Sequence, residues 1–571
     1  MNYSFLSRTR ILSFCILVFS AILIGKLFLL QVVHTTFYKE RAEHQYATPS
    51  SNIFERGTIY FNTKNNELVS AATQTSGYKV AINPGEIKDV SGVYKNLSKI
   101  ITTLDQIEFT TKAEKINDPY EEIANHLSKE QADAISILKI SGVYVYQEKW
   151  RFYPGNNLAS QVLGFVAYKG NDLSGRYGLE RQYNDILTKT GNNPYLNFFA
   201  EVFSNIKETL STTGVKSGDL ITTIEPNVQI FLDKKLEEVK NKYQVDSIGG
   251  IIMNPKDGSI YAMSAKPDFD LNNFSKVTNA ITFGNPLIEN VYEFGSVVKP
   301  LVMAAGIDTN VVTAETTYND KGSVVVDKKQ IFNFDKKGRG PGTTMQDVLT
   351  QSLNTGMVFV YQHLGKQNMR DYFLSYGIKD KTGIDLPNET SGLVSNLNSP
   401  RDIEYANASF GQGIALTPIE MIRALASLSN GGNLVVPHVV EAIKYDDGME
   451  KKMTYPTTRA KISEKTATEI TRMLVTVMDT SFDKLSPGIE RYSIAVKTGT
   501  AQVANPVGGG YYADRHTHSF IGYFPAYDPK FIVFLYAVNP KGIMYASQTW
   551  ANPFLDISKF LLNYYEIPPD R

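Results

Sequence analysis

The sequence predicts an α+β multidomain protein. It would have an N-terminal transmembrane helix, an elongated mixed α/β domain over 34–217, and a C-terminal domain over 218–571. That last domain is expected to be an antiparallel sheet with helices on its faces plus a helical subdomain. Three observations predict this. The chain has 571 residues, too many for one ordinary core. Residues 11–33 are almost continuously apolar. Beyond 218, strand patterns gather at both ends of a long helical stretch, as in a sheet assembled from the two ends of one domain.

The first element is the apolar run Ile11 to Val33, broken only by Gly25, Lys26 and Gln31. As a helix it would span about 34 Å, enough for a bilayer. Arg8 and Arg10 precede it, which keeps residues 1–10 in the cytoplasm by the positive-inside rule. Lys26 lies toward the outer end, where its stem reaches the interface. No small-x-small cleavage site follows, and the run resumes as Leu27-Phe-Leu-Leu30, so an uncleaved single-pass anchor is expected rather than a signal peptide. Everything after residue 34 is then extracytoplasmic.

Composition narrows the chemistry. The 58 basic and 58 acidic residues balance, so no global field points to nucleic acid. The one cysteine, Cys15, lies in the apolar segment, which excludes a disulfide framework and a thiolate metal site. There are seven histidines. His516 and His518 fit one face of a solvated strand better than a metal site. No metal and no cofactor is expected.

Between 34 and 217, strand-like runs at Tyr78–Ile82 and Gly142–Tyr146 flank a helical pattern over Ile123 to Ile137. After Pro194, the residues Tyr195, Leu196, Phe198, Phe199, Val202, Phe203 and Ile206 form an apolar stripe at helical spacing. It is expected to pack on its own domain, with docking on a membrane or membrane protein as the alternative. A polar, Gly-containing stretch then leads into a strand at Leu220 to Ile224. The C-terminal domain continues with a helix from Pro226 to Tyr243. Next come strands at Gly249–Met253 and Ser259–Met263, joined by an Asn-Pro-Lys-Asp-Gly turn. A mainly helical stretch fills about 290–480. Strands return at Tyr492–Val496, Ser519–Phe524 and Phe531–Val538, and a closing helix fits Pro553 to Tyr564.

With no thiol beyond the apolar segment and few imidazoles, nucleophilic catalysis requires Ser or Thr with an unusual base. Ser-x-x-Lys at a helix start is one solution: the i, i+3 spacing stacks amine over hydroxyl, and a buried lysine loses its charge readily. The motif occurs five times, beginning at Ser76, Ser136, Ser204, Ser296 and Ser481. Only Ser296-Val-Val-Lys299 opens an apolar helical run, with Pro300 near the helix start. Lys-Thr/Ser-Gly also occurs four times, at Lys189, Lys216, Lys381 and Lys497. Only Lys497-Thr-Gly-Thr500 continues an apolar strand. There Gly499 would let a substrate approach the backbone, Thr498 and Thr500 offer hydroxyls to a carboxylate, and Lys497 adds positive charge. Of the two Ser-x-Asn segments, at Ser50 and Ser352, only Ser352-Leu-Asn354 falls between the other two motifs.

This ordered set resembles the three motifs of the penicillin-recognising serine transpeptidases. Pro267-Asp-Phe-Asp-Leu-Asn272, Phe410-Gly-Gln-Gly-Ile414 with Thr417-Pro418, and Asn430-Gly-Gly432 are similar to that domain's recurring segments. Arg56-Gly-Thr-Ile59, Arg151-Phe-Tyr-Pro154 and Gly178-Leu-Glu-Arg181 resemble the dimerisation or pedestal domain of class B penicillin-binding proteins. The chain departs from that pattern at Phe61–Asn66, where Asp-Arg-Asn-Gly is common, and at Phe294, where Pro is common.

The resemblance implies peptidoglycan cross-linking on D-Ala-D-Ala stem peptides during division or elongation. Ser296 would be the nucleophile and Lys299 its base. Ser352 would be a proton relay, Asn354 an orienting group, Lys497 a source of positive field, and Thr498, Gly499 and Thr500 the carboxylate site. It also implies β-lactams as inhibitors and a multispanning glycan polymerase as partner, since the N-terminal half has no Glu-Asp-x-x-Phe-like segment. A carboxypeptidase or β-lactamase would share the acylation step, but no Glu-x-x-Leu-Asn segment for deacylation is present. A non-catalytic β-lactam sensor or scaffold is the remaining alternative.

Overall fold

The computed structural model describes residues 17–20, 23, 26, 55–169, 172–189, 216–482, 488–505 and 508–571. Of the expected anchor over 11–33, residues 17–20, 23 and 26 are helical and the rest lie outside the described residues, as does the apolar stripe over 195–206. No helix among the described residues is long and apolar enough to cross a membrane.

The chain forms two compact units. The smaller one, which includes 74–150, has its own core around Val80, Ile82, Leu97, Phe109 and Ile135. Here the expected helix over 123–137 is half wrong. Glu121–Leu127 is a strand paired with Tyr78–Ile82, and only Lys129–Ile137 is helical. Ser128 decides the break. Its hydroxyl accepts from Gln131 N while the Gln131 side chain accepts from Ser128 N, a capping box that starts the helix there and frees the preceding residues to pair.

In the larger unit, three separated segments close on one buried carboxylate. Arg56 Nε and Arg151 Nε donate to Glu180 at 2.5 and 2.6 Å, and Tyr153 OH donates to the same carboxylate at 3.3 Å. Both ion pairs are almost inaccessible to solvent. Arg151 also donates to Gly57 O at 2.7 Å, which fixes the entry of the strand Ile59–Asn62. That strand pairs in parallel with Gly218–Thr222, which pairs with Val440–Tyr445.

The dominant feature is a five-stranded antiparallel sheet: β1 Ser247–Met253, β2 Ile260–Lys266, β3 Ala495–Ala504, β4 Tyr511–Phe524 and β5 Phe531–Val538, in the order β3-β4-β5-β1-β2. Both ends of the domain build it, as expected, and β3 is an edge. Strand β3 runs through Lys497-Thr-Gly-Thr500 rather than ending there, and β4 begins at Tyr511 rather than Ser519. The register carries the pair on to Ala504↔Tyr511, through residues too polar and too exposed to show strand alternation.

His518 on β4 is buried, not solvated. Its ring lies 2.8 Å from Thr549 Oγ1 and 3.0 Å from Met544 O, and burial pushes its pKa down to about 4. Among the described residues no three His, Cys, Asp or Glu side chains are grouped to hold a metal.

Helices α1 (Pro226–Tyr243) and α5 (Ala546–Tyr564) cover one face, with Phe231 stacked on Phe560 at 4.2 Å. The closing helix is longer than expected, and Pro553 lies inside it. On the other side, α2 (Lys299–Asp308) packs against α3 (Asn354–Leu364) and α4 (Glu464–Ser481). Helix α2 is buried from Lys299 through Gly306, as an all-round apolar sequence requires. Within the helical stretch, two short hairpins escape sequence detection. They pair Thr317–Asp320 with Gly340–Thr344 and Ser323–Val326 with Lys329–Phe332.

Candidate active site

Ser296 lies in a single 3-10 turn, Gly295–Val298, that feeds directly into α2. Pro300 is then the second residue of α2, where its missing N–H removes no helical bond. The turn is wedged between two backbones. Gly295 has φ +64°, and a Cβ there would lie 2.8 Å from Thr500 O; a Cβ on Gly411 would lie 2.1 Å from Gly295 O. The Phe-Gly-Gln-Gly segment is therefore the floor beneath Ser296. Phe294, in place of the common proline, is buried edge-on against Phe534 at 4.9 Å. It ties the same turn to the sheet.

The approach that Gly499 permits is made by the chain itself. A Cβ at 499 would lie 2.3 Å from Phe294 O and 2.4 Å from Ser519 Oγ. Ser519 Oγ donates to Phe294 O at 2.7 Å, a tether between β4 and the Ser296 turn that no sequence spacing announces. Thr498 and Thr500 are half-buried on the edge strand. Thr500 Oγ1 accepts from Ala546 N at 3.1 Å, which leaves its own proton available to a ligand.

The amines of Lys299 and Lys497 meet at Ser352. Lys299 Nζ donates to Ser352 O at 2.6 Å and to Asn354 Oδ1 at 2.9 Å, and it lies 3.3 Å from Ser352 Oγ. Lys497 Nζ donates to Ser352 Oγ and to Thr498 O, both at 3.0 Å. Ser352 has φ +55°, an unusual value outside glycine, which lets its carbonyl and hydroxyl both face Lys299. Neither lysine has a carboxylate partner among the described residues, and both are inaccessible.

Burial, with the positive charge of Lys497 adding to it, holds Lys299 well below the usual lysine range. Burial alone pushes Lys497 down to about 7. Both shifts favour the neutral amine, and the neighbouring charge adds to burial at Lys299. A neutral Lys299 keeps two N–H donors, matched by Ser352 O and Asn354 Oδ1. Its lone pair is then free to accept a hydrogen bond, and the longest contact, to Ser352 Oγ, can run in either direction. The amine has turned to Ser352 and Asn354, so the spacing Ser296-x-x-Lys299 sets proximity rather than a closed hydrogen bond.

Other side chains at this site were not legible in the sequence. Asp320 is buried and accepts from Thr355 Oγ1 at 2.8 Å and from Asn333 Nδ2 at 3.0 Å, which secures the start of α3. Glu293 accepts from Gly413 N at 3.1 Å and from Tyr511 OH at 3.1 Å, and burial raises its carboxyl above the usual range. The only hint was adjacency: Glu293 precedes Ser296 by three residues, and Thr355, which donates to Asp320, follows Asn354 directly.

Residues 248–559 match the family model of the penicillin binding protein transpeptidase domain, and residues 54–223 match that of the penicillin-binding protein dimerisation domain. The chain belongs to the class B penicillin-binding proteins. Stage V sporulation protein D of Bacillus subtilis (strain 168) is 31% identical to this penicillin-binding protein over 500 residues, covering 85% of this chain and 75% of that one. Peptidoglycan D,D-transpeptidase FtsI of Escherichia coli (strain K12) is 24% identical over 571 residues, covering 99% and 92%. Among solved structures, penicillin-binding protein 3 of Mycobacterium tuberculosis, complexed with aztreonam, shares the fold with a TM-score of 0.69 at 21% identity, over 91% of this chain and 98% of that one.

Proposed function

We propose that this D,D-transpeptidase cross-links peptidoglycan in division or elongation with Ser296 as its nucleophile. In the first half-reaction Ser296 Oγ adds to the carbonyl carbon of the penultimate D-Ala, and its proton passes to Lys299 Nζ. The N–H groups of Ser296 and Thr500 hold the oxyanion. Collapse breaks the C–N bond, and the departing D-Ala amine takes its proton through Ser352 Oγ. In the second half-reaction an amine from a neighbouring stem attacks the ester, Lys299 receives the amine proton, and Ser296 leaves reprotonated. Thr498 and Thr500 bind the terminal carboxylate, Lys497 keeps the local field positive, and Asn354 orients Lys299.

One observation carries this reading: Ser352 Oγ lies within 3.0 Å of one buried amine and 3.3 Å of the other, a ready proton path without a carboxylate. Residues 11–33 anchor the protein in the cytoplasmic membrane, 34–217 form its pedestal and 218–571 its catalytic domain. A multispanning polymerase partner supplies the glycan. The test is labelling with a fluorescent penicillin. Wild type should become covalently labelled and Ser296→Ala should not; equal labelling of the two would refute the assignment.

A further inference from the structure

The hairpin region beside the site is strongly basic. Residues 321–340 hold five lysines and one arginine against two aspartates, in a chain whose 58 basic and 58 acidic residues balance. Both aspartates are engaged internally: Asp335 pairs with Arg339 at 2.9 Å, and Asp327 accepts from Ile403 N at 2.9 Å. Lys321, Lys328, Lys329, Lys336 and Lys337 are exposed, and none is ion-paired among the described residues. Six cations against two aspartates leave the stretch a net charge of +4, which is repulsive on its own, so the array favours an anionic partner.

The array is also held in place. Asp327 and Lys328, with φ +47° and +65°, form a tight two-residue turn that puts Lys328 and Lys329 at a hairpin tip. Lys336 lies over the Phe332 ring at 5.6 Å. The region is bonded to the catalytic wall, because Asn354 Nδ2 donates to Phe332 O at 2.9 Å and the Asp320 carboxylate accepts from Arg339 N at 3.0 Å. On the far side, Phe334 meets Tyr545 edge-on at 5.6 Å, next to the Ala546 that donates to Thr500. The lysines therefore border the mouth of the cleft that holds Ser352 and Lys497.

We propose that this platform binds the uncross-linked glycan strand whose stem peptide occupies the cleft, its lysines pairing with the free terminal carboxylates of neighbouring stems. The inference rests on the transpeptidase reading and names its substrate more closely, as a strand carrying many carboxylates rather than a single stem. Repeated weak pairs along one strand raise its effective concentration at the cleft, and salt screens them.

The test compares the full-length protein with the variant K328Q/K329Q/K336Q/K337Q. Both are assayed on polymerised uncross-linked strands, on a single muropeptide and with fluorescent penicillin. Penicillin labelling and single-muropeptide turnover should agree within about 2-fold, since the reacting groups are untouched. At low salt the variant's kcat/KM on strands should fall about 10-fold, and high salt should bring wild type down to the same level. An equal fall on strands and single muropeptide, or no fall on either, overturns the proposal. So does retained strand turnover with lost binding to vesicles of anionic phospholipid, which would assign the array to a lipid surface. Loss of penicillin labelling by wild type itself would instead refute the underlying reading.

Discussion

Lys497 is a cation held where a cation is disfavoured, and that has measurable consequences for the single residue. Its folded pKa, about 7, lies below the unfolded value of about 10.4, so the unfolded chain binds the extra proton throughout that interval. Stability contributed at this site therefore rises with pH between about 7 and 10 and is flat below. Lys497→Met should reduce the slope of unfolding free energy against pH by up to about 1.4 kcal/mol per unit in that window, measured by denaturant titration at several pH values. Ser352→Ala removes the hydroxyl shared by the two amines. Acylation by penicillin should slow about 10²- to 10³-fold in stopped-flow or time-course labelling, with the melting temperature little changed. Sequence pattern singled out the three motif residues by order and context. It did not show that Lys299 turns toward Ser352 O and Asn354, because that depends on a left-handed Ser352 backbone.

At the scale of elements, the position of Ser296 results from close backbone contact. The turn Gly295–Val298 rests on β3 at Gly499 and on the loop at Gly411, both without room for a side chain. Gly499→Ala should lower stability by about 1–3 kcal/mol and slow acylation in the same protein, since the methyl must displace Phe294 or Ser519. A calorimetric scan paired with penicillin labelling checks both; unchanged labelling would mean the turn tolerates the shift. Regular elements with clean periodicity, such as α1 at Pro226–Tyr243 and β5 at Phe531–Val538, were legible in the sequence. The extensions of β3 and β4 were not, because polar half-exposed strands show no alternation and only their mutual register defines them. The strand Glu121–Leu127 was missed for the opposite reason: its apolar spacing also fits a helix, and the Ser128 cap arbitrates.

Over the larger unit as a whole, one carboxylate gathers segments far apart in the chain. Glu180 sits between Arg56 and Arg151, all three buried, 124 and 29 residues away. Glu180→Ala leaves two guanidinium groups without their counter-charge and should cost about 3–5 kcal/mol, read as a lower midpoint in urea. Penicillin labelling of the protein that remains folded should survive, since no reacting group is altered. The sequence by itself determined the order of motifs and the two-ended sheet, and its context set Ser296 apart from the four other Ser-x-x-Lys segments. All of these are written in local pattern and context. Only the tertiary structure decided that Lys299, Ser352 and Lys497, separated by 53 and 145 residues, share one hydroxyl, that Gly499 receives the chain rather than leaving open space, and that the Lys-rich hairpins border the cleft. The physical reason is the same in each case. Hydrogen-bond direction, desolvation and steric exclusion depend on which distant atoms meet, and residue spacing along the chain does not encode that meeting.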